Sequence, residues 1–219
     1  MAVSTAVAAA HSPVTVPRWR ADSVEARLRD GSTAALRPLG AGETDPLQAV
    51  FDGLSAQSRM DRYLVGVPRL TGSMTTALTA VDDHRHIAWL ATVGDRPAGI
   101  ARAVRVGPAT AELAFEVVDA FQGLGLGSAL VDAVTTAAAV SGVDRVRASV
   151  HPSNHRSLRV LALVGLRLCP VDGLLEGESR LRLMERPRID RWQVARMYQD
   201  RHRATDRASR WTTAWARAH

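Results

Sequence analysis

Apolar and polar positions fall into two rhythms along this chain. The stretch STAALRPL, residues 32–39, reads as a short strand that Gly40 and Gly42 break. In ETDPLQAVFDGL, Leu47, Val50, Phe51 and Leu54 recur at helical spacing, and AQSRMDRYLVG and SMTTALTAV read as two further helices. The texture then changes. HIAWLATV (86–93), a turn at GDRP, AGIARAVRV (98–106), a turn at GP, and TAELAFEVV (110–118) predict consecutive antiparallel strands. LGSALVDAVTTAAAVSG predicts a helix of about 15 residues ending at Gly142. RVRASVH is a further strand, NHRSLRVLALVG a capped helix ending at Gly165, and LRLCPV with SRLRLM a closing pair of strands. The order is strand, helices, three strands, helix, strand, helix, two strands, with no internal repeat.

Composition narrows the function classes. With 219 residues and 46% hydrophobic content, the chain predicts one globular domain of about 150 residues with tails. The net charge is +6, and all 28 basic residues are arginine. The absence of lysine reads as coding bias, yet it excludes a Walker A loop and any Schiff-base lysine. A phosphate would have to be held by backbone amides, hydroxyls or arginine. Cys169 is the single cysteine, so no intramolecular disulfide or cysteine-rich zinc site forms, which fits a reducing, cytoplasmic location. Residues 1–31 read as a flexible Ala/Ser/Thr/Pro tail, neither a signal peptide nor a membrane span.

Residues 185–219 carry nine arginines against three aspartates, with Trp192, Tyr198, Trp211 and Trp215 among them. Ala204, Ala208, Trp211 and Trp215 fall on one helical stripe, which predicts a basic amphipathic helix. Such a helix is expected to dock onto its own domain or to a second subunit as a homodimer; contact with nucleic acid or an acidic partner is the less favoured alternative. Two histidine pairs, His84 with His86 and His151 with His155, lack the carboxylates or cysteines that would complete a metal site, and Pro152 interrupts the second.

The segment FQGLGLGSALV places Gly123, Gly125 and Gly127 between a strand and an apolar helix. Glycines let a backbone approach a ligand closely, and unpaired N–H groups at a helix start favour an anion, with phosphate the first reading. The alternative is a tight turn with no ligand. A dinucleotide fingerprint does not fit: the third glycine position is Ser128 counted from Gly123 and Leu130 counted from Gly125, and the following strand ends in His151 rather than an acid.

Gln122, Gly125 and Gly127, after a strand meander and opening a helix, resemble the Gln/Arg-x-x-Gly-x-Gly/Ala signature of the GNAT superfamily of N-acetyltransferases. The next family block is matched by Asn154, starting a helix, and by Gly165-Leu166 after it; the resemblance spans residues 32–184, the expected catalytic domain. It implies an α/β (α+β) fold: a mixed, mostly antiparallel central sheet with a splayed strand pair, flanked by helices. It implies acetyl-CoA as co-substrate and no metal. The pyrophosphate would lie against Gln122, Gly123, Leu124, Gly125, Leu126, Gly127 and Ser128, the pantetheine arm against the backbone of Val117 and Val118, with Asn154 as a further cofactor-binding residue.

Acetyl transfer needs a neutral amine, so a base must take the ammonium proton. Glu112 and Glu116 are the candidates, both on one face of their strand. AELAF is similar to the catalytic strand of actinobacterial protein-lysine acetyltransferases, which favours Glu112 and leaves Glu116 as a solvated glutamate on an open face. Where many members have a tyrosine acid, this chain has Leu161. The acceptor, a protein lysine or a small amine, is expected to meet the variable residues 42–80, with no membrane involved. A catalytically silent acyl-CoA-binding or interaction module is the alternative.

Overall fold

A computed structural model describes residues 23–203. Strands β1 (Val24–Arg27) and β2 (Thr33–Pro38) precede helices α1 (Thr44–Asp52), α2 (Ala56–Tyr63) and α3 (Gly72–Thr79). Strands β3 (His86–Val93), β4 (Arg96–Arg105) and β5 (Thr110–Val117) form a meander, followed by α4 (Leu126–Val140), β6 (Arg145–Val150) and α5 (His155–Ala162). Strands β7 (Cys169–Val171) and β8 (Leu174–Arg180) close the sheet, and residues 191–203 form a last helix, α6.

All eight strands share one sheet in the order β1-β2-β3-β4-β5-β6-β8-β7. Every neighbouring pair is antiparallel except β5 and β6. Those two pair only through Thr110↔Arg145, Ala111↔Val146 and Glu112↔Arg147, then diverge. This is the splayed pair the sequence resemblance implies. Strand alternation divides the core. Ile87, Trp89, Ala101, Ala103 and Leu113 pack with Leu130, Val134 and Ala137 of α4, whose nearly uninterrupted apolar surface suits burial against a sheet. The other face carries Ala88, Leu90 and Ile100 against Leu39, Leu47, Val50 and Val81. Segment 44–79 therefore covers one face of the sheet and α4 the other.

Two expectations change. The tail assigned to residues 1–31 gives way at Val24, where β1 pairs antiparallel with β2 and buries Val24 and Ala26. Four alternating residues are too brief a pattern to read alone, and the pairing partner supplies the rest of the stability. The first closing strand, Cys169–Val171, lies inside LRLCPV as expected, but the second is Leu174–Arg180 and meets SRLRLM only at Ser179 and Arg180. Asp172 (φ 49°) and Gly173 (φ 83°) both adopt the left-handed backbone of a two-residue hairpin turn, and that turn sets where the strands meet. The chain beyond β8 docks on its own domain, one of the two placements expected for this segment: Met184, Ile189, Val194 and Tyr198 are buried on the α4 side. Fully buried Asp132 of α4 accepts from Arg191 Nε (2.7 Å) and from the Arg188 N–H (2.7 Å), and Tyr198 donates to the Asp83 carbonyl (2.6 Å). The Ala204, Ala208, Trp211, Trp215 stripe lies outside the described residues.

Candidate active site

Between β5 and α4 the chain makes a short 3-10 turn (Asp119–Phe121) and then the glycine segment. Gly123 (φ 79°) and Gly125 (φ 96°) are left-handed, and no atom stands within 4 Å of where a Cβ would project from either. The turn is thus open on its outer side. No side chain caps α4 at Gly125. Arg29, in the β1–β2 turn, donates its N–H to the Leu124 carbonyl (3.0 Å) and Nη1 to the Gly123 carbonyl (3.1 Å). Each planar peptide points its N–H opposite its C=O, so these bonds turn the Leu124 and Gly125 amides away from Arg29. With the first-turn amides of Leu126, Gly127 and Ser128 they form a cradle for an anion, favoured by the helix dipole. Arg29 lies outside the recognised motif, and no spacing in the sequence marks it.

Gln122 serves the protein itself. Its Nε2 lies 3.0 Å from the Val117 carbonyl, 3.0 Å from Asp119 Oδ1 and 3.1 Å from Ser58 Oγ, while Oε1 accepts from Arg156 of α5. Val118 cannot serve as a backbone contact for a pantetheine arm: its N–H donates to Ala98 (2.9 Å), its carbonyl accepts from Phe121 (2.8 Å) and its side chain is buried. Because Val118 bonds to β4, strand alternation turns Val117 toward the gap between β5 and β6. Asn154 caps α5, accepting from the Ser157 N–H at 3.0 Å. Leu161 is buried hydrocarbon, so no phenol occupies that position.

On the face toward α1–α3, β5 presents Glu112, Ala114 and Glu116, opposite Val104, Arg102 and Ile100 of β4. Glu112 is half-buried at the last paired position before the strands diverge, and its Oε2 accepts from Arg147 Nη2 (2.7 Å) and Nε (3.0 Å). Glu116 is not the solvated glutamate expected. It is 5% exposed, its Oε1 accepts from Arg102 Nη1 (2.6 Å), and its Oε2 accepts from Arg62 of α2. Burial opposes its ionisation, but Arg102 and Arg62 outweigh that and hold the carboxyl below the ordinary glutamate range. The readable signal was Arg102, a charge amid the apolar run AGIARAVRV, which needs an acidic partner when buried. Burial, with the neighbouring Glu116 charge second, pushes the Tyr63 phenol up to about 12.

No helix among the described residues is long and apolar enough to cross a membrane, and no group of three or more His, Cys, Asp and Glu is placed to hold a metal.

The model of the acetyltransferase (GNAT) family matches residues 55–165. Acetyltransferase Pat of Mycolicibacterium smegmatis is 30% identical over 146 residues, covering 65% of this chain, which spans 44% of that relative's length. The GNAT domain of S. lividans PAT superposes with a TM-score of 0.68 at 28% identity, covering 76% of this chain and 99% of that one. The fold also matches yncA of Salmonella typhimurium, solved with its cofactor acetyl-CoA: TM-score 0.55, 16% identity, 70% of this chain and 97% of that one. The open glycine cradle, the strand pair that parts beyond Glu112 and the match over residues 55–165 come together in one assignment: the chain belongs to the GNAT family of acetyltransferases.

Proposed function

We infer that this chain transfers an acetyl group from acetyl-CoA to an amine, with a protein lysine the favoured acceptor. The family uses acetyl-CoA, and the residues present fit it: the Leu124–Ser128 amides suit a pyrophosphate, and the parted edges of β5 and β6 suit the amide-bearing pantetheine arm. The thioester, when bound, supplies an activated acetyl carbon and a tolerable thiolate leaving group. Arg29 and Gln122 hold the cradle's backbone in place. Val117 offers its N–H to the gap.

Glu112 is the proposed base. Both Arg147 bonds fall on Oε2, leaving Oε1 outside the pair to receive the acceptor's proton, directly or through a water. An alkyl ammonium titrates near 10.4, so at neutral pH this deprotonation precedes attack. The lysine preference rests on the likeness of AELAF to protein-lysine acetyltransferases and on the match to Pat and PAT. The observation that carries the reading is that β5 and β6 part at Glu112, which puts the carboxylate at the mouth of the gap.

The test is Glu112→Gln assayed by release of free thiol with a lysine-peptide and amine panel, across roughly pH 6 to 10. Turnover should fall about 10²-fold at neutral pH, with the deficit shrinking as the free amine accumulates. Equal activity at every pH would remove Glu112 from the role. No thiol release by the wild type with any amine would remove the transferase reading.

A further inference from the structure

Among the described residues, four buried side-chain nitrogens have no hydrogen-bond partner: Arg102 Nε and Nη2, Arg59 Nε and His86 Nε2. Buried polar atoms are nearly always bonded, so a group of them in one region calls for a cause. Two belong to a single side chain. Arg102 is 1% exposed and uses only Nη1 on Glu116, at 2.6 Å. Its other edge, Nε with Nη2, is the one whose two N–H groups point the same way, the geometry that grips a carboxylate with two parallel bonds. The neighbours of Arg102 across the sheet are Ala88 and Ala114, whose methyl groups offer no acceptor.

The surroundings are short of acid. Glu116 accepts from Arg102 on one oxygen and from Arg62 on the other, so both are taken. Arg59, one turn before Arg62, lies over the Phe51 ring at 4.1 Å and donates to the Pro68 carbonyl, with no carboxylate of its own. All three arginines and Glu116 act on the Tyr63 phenol, so they share one neighbourhood. Nearby acids are engaged elsewhere: Glu112 Oε2 with Arg147, and Asp119 with Ser58. The surplus positive charge is felt along the sheet, because burial, with the Arg102 charge second, holds the His86 imidazole below its ordinary value. Arg102 is also the diagonal neighbour of Glu112 on the β4–β5 ladder, which sets their α-carbons about 7–8 Å apart. A carboxylate on Arg102 and an amine beside Glu112 can therefore belong to one small molecule or one short stretch of peptide.

We propose that the Nε/Nη2 edge of Arg102 is a carboxylate subsite of the acceptor site, so that the preferred acceptor is an amine that carries a carboxylate. The inference rests on the amine-acceptor reading above and narrows it. The carboxylate is that of a free amino acid of lysine type or of an acidic residue beside a lysine in a peptide; both present the same two oxygens. Bound there, it supplies the counter-charge that Glu116 alone does not, and it points the amine along the sheet toward Glu112.

Matched acceptors test this by calorimetric titration and by thiol-release kinetics at saturating acetyl-CoA: Nα-acetyl-lysine against its carboxamide, and a capped peptide with Glu against Gln beside the lysine. In at least one pair the carboxylated member should show Kd and KM lower by roughly 10- to 100-fold, the scale of a charge-assisted bidentate contact. The pair that discriminates identifies the source. Arg102→Lys keeps a charge for Glu116 but has no fork, and should cut the preference to about threefold or less, through KM rather than kcat. A thermal melt checks that this variant is folded; if it is not, the wild-type comparison decides alone. Equal Kd and KM within both pairs, or an undiminished preference in folded Arg102→Lys, would overturn the proposal. Carboxylate-selective binding without thiol release would uphold the subsite and remove the transferase reading, whereas thiol release without selectivity removes the inference alone.

Discussion

Glu112 and Glu116 stand on one strand and one face, about 13 Å apart at Cα, and the fold gives them opposite surroundings. Glu112 keeps a wet, singly paired carboxylate at the strand divergence. Glu116 is locked between two buried guanidinium groups, 2.6 Å from Arg102. Replacing it with glutamine leaves both arginines without a counter-charge, so the change should destabilise the domain by about 3 kcal/mol or more. That corresponds to a melting-temperature loss on the order of 10 °C. Because the folded-state carboxyl titrates below its ordinary value, its stabilising contribution is complete above the unfolded value, near 4.3, and is lost as pH falls through the lower folded value. Thermal melts of wild type and Glu116→Gln should therefore differ widely at pH 7 and converge in acid. A glutamine variant as stable as wild type at pH 7 would show that the ion pairs contribute nothing net. At Gly125 a side chain would strain a left-handed backbone (φ 96°), and Gly125→Asp adds a negative charge at the cradle. Acetyl-CoA binding by calorimetry should weaken at least tenfold at low salt and recover partly at high salt, since the charge part of the loss is screened.

At the scale of elements, α4 is the organising piece. Its buried surface closes one side of the sheet, its N-terminus faces the cradle, and its one buried acid, Asp132, receives Arg191 and the Arg188 N–H of the following segment. That bond set decides where the chain after β8 goes. Truncation after Met184 removes Ile189, Val194 and Tyr198 from the core and leaves Asp132 buried without its partners. Lost apolar burial of about 1.5–3 kcal/mol per large side chain adds to an unpaired buried charge. The truncated chain should melt lower and scatter light as a larger species. Unchanged melting temperature and mass would make the docked segment dispensable. Asp132→Asn in the full chain should lower the melting temperature by less, since the amide oxygen still accepts from Arg188.

For the whole molecule, the single sheet is divided by one seam. The strands from β1 to β5 form a continuous antiparallel surface, β6 with β8 and β7 a second one, and the two are joined by only three residue pairs. The seam is therefore where a long ligand can enter between strand edges without displacing a ladder. The covering helices 44–79 lie on the face that carries Glu112, and α4 on the other, so in the proposed reaction donor and acceptor would approach the seam from different directions.

Much of this was determined by the sequence itself. The strands 86–93 and 110–117, the α4 helix and the glycine turn follow from period and punctuation, which are local properties. So were Gln122, Gly125 and Asn154 as marks of the family, whereas Glu112 was singled out over Glu116 by the resemblance of AELAF to a family strand, and its place at the seam came from the structure. What only the tertiary structure decided involves partners far apart along the chain. Arg29 reaches Gly123 across 94 residues, Arg62 reaches Glu116 across 54, and Gln193 reaches the Ser23 carbonyl across 170. β1 lacks a pattern long enough to be read alone, and the Asp172–Gly173 turn started β8 five residues ahead of the apolar run SRLRLM. Val118 looked like a gap-facing residue until the register of β4 claimed its N–H. Hydrophobic period is carried by neighbours in the chain, whereas charge pairing and strand register are carried by neighbours in space; the second kind of information exists only once the chain has folded.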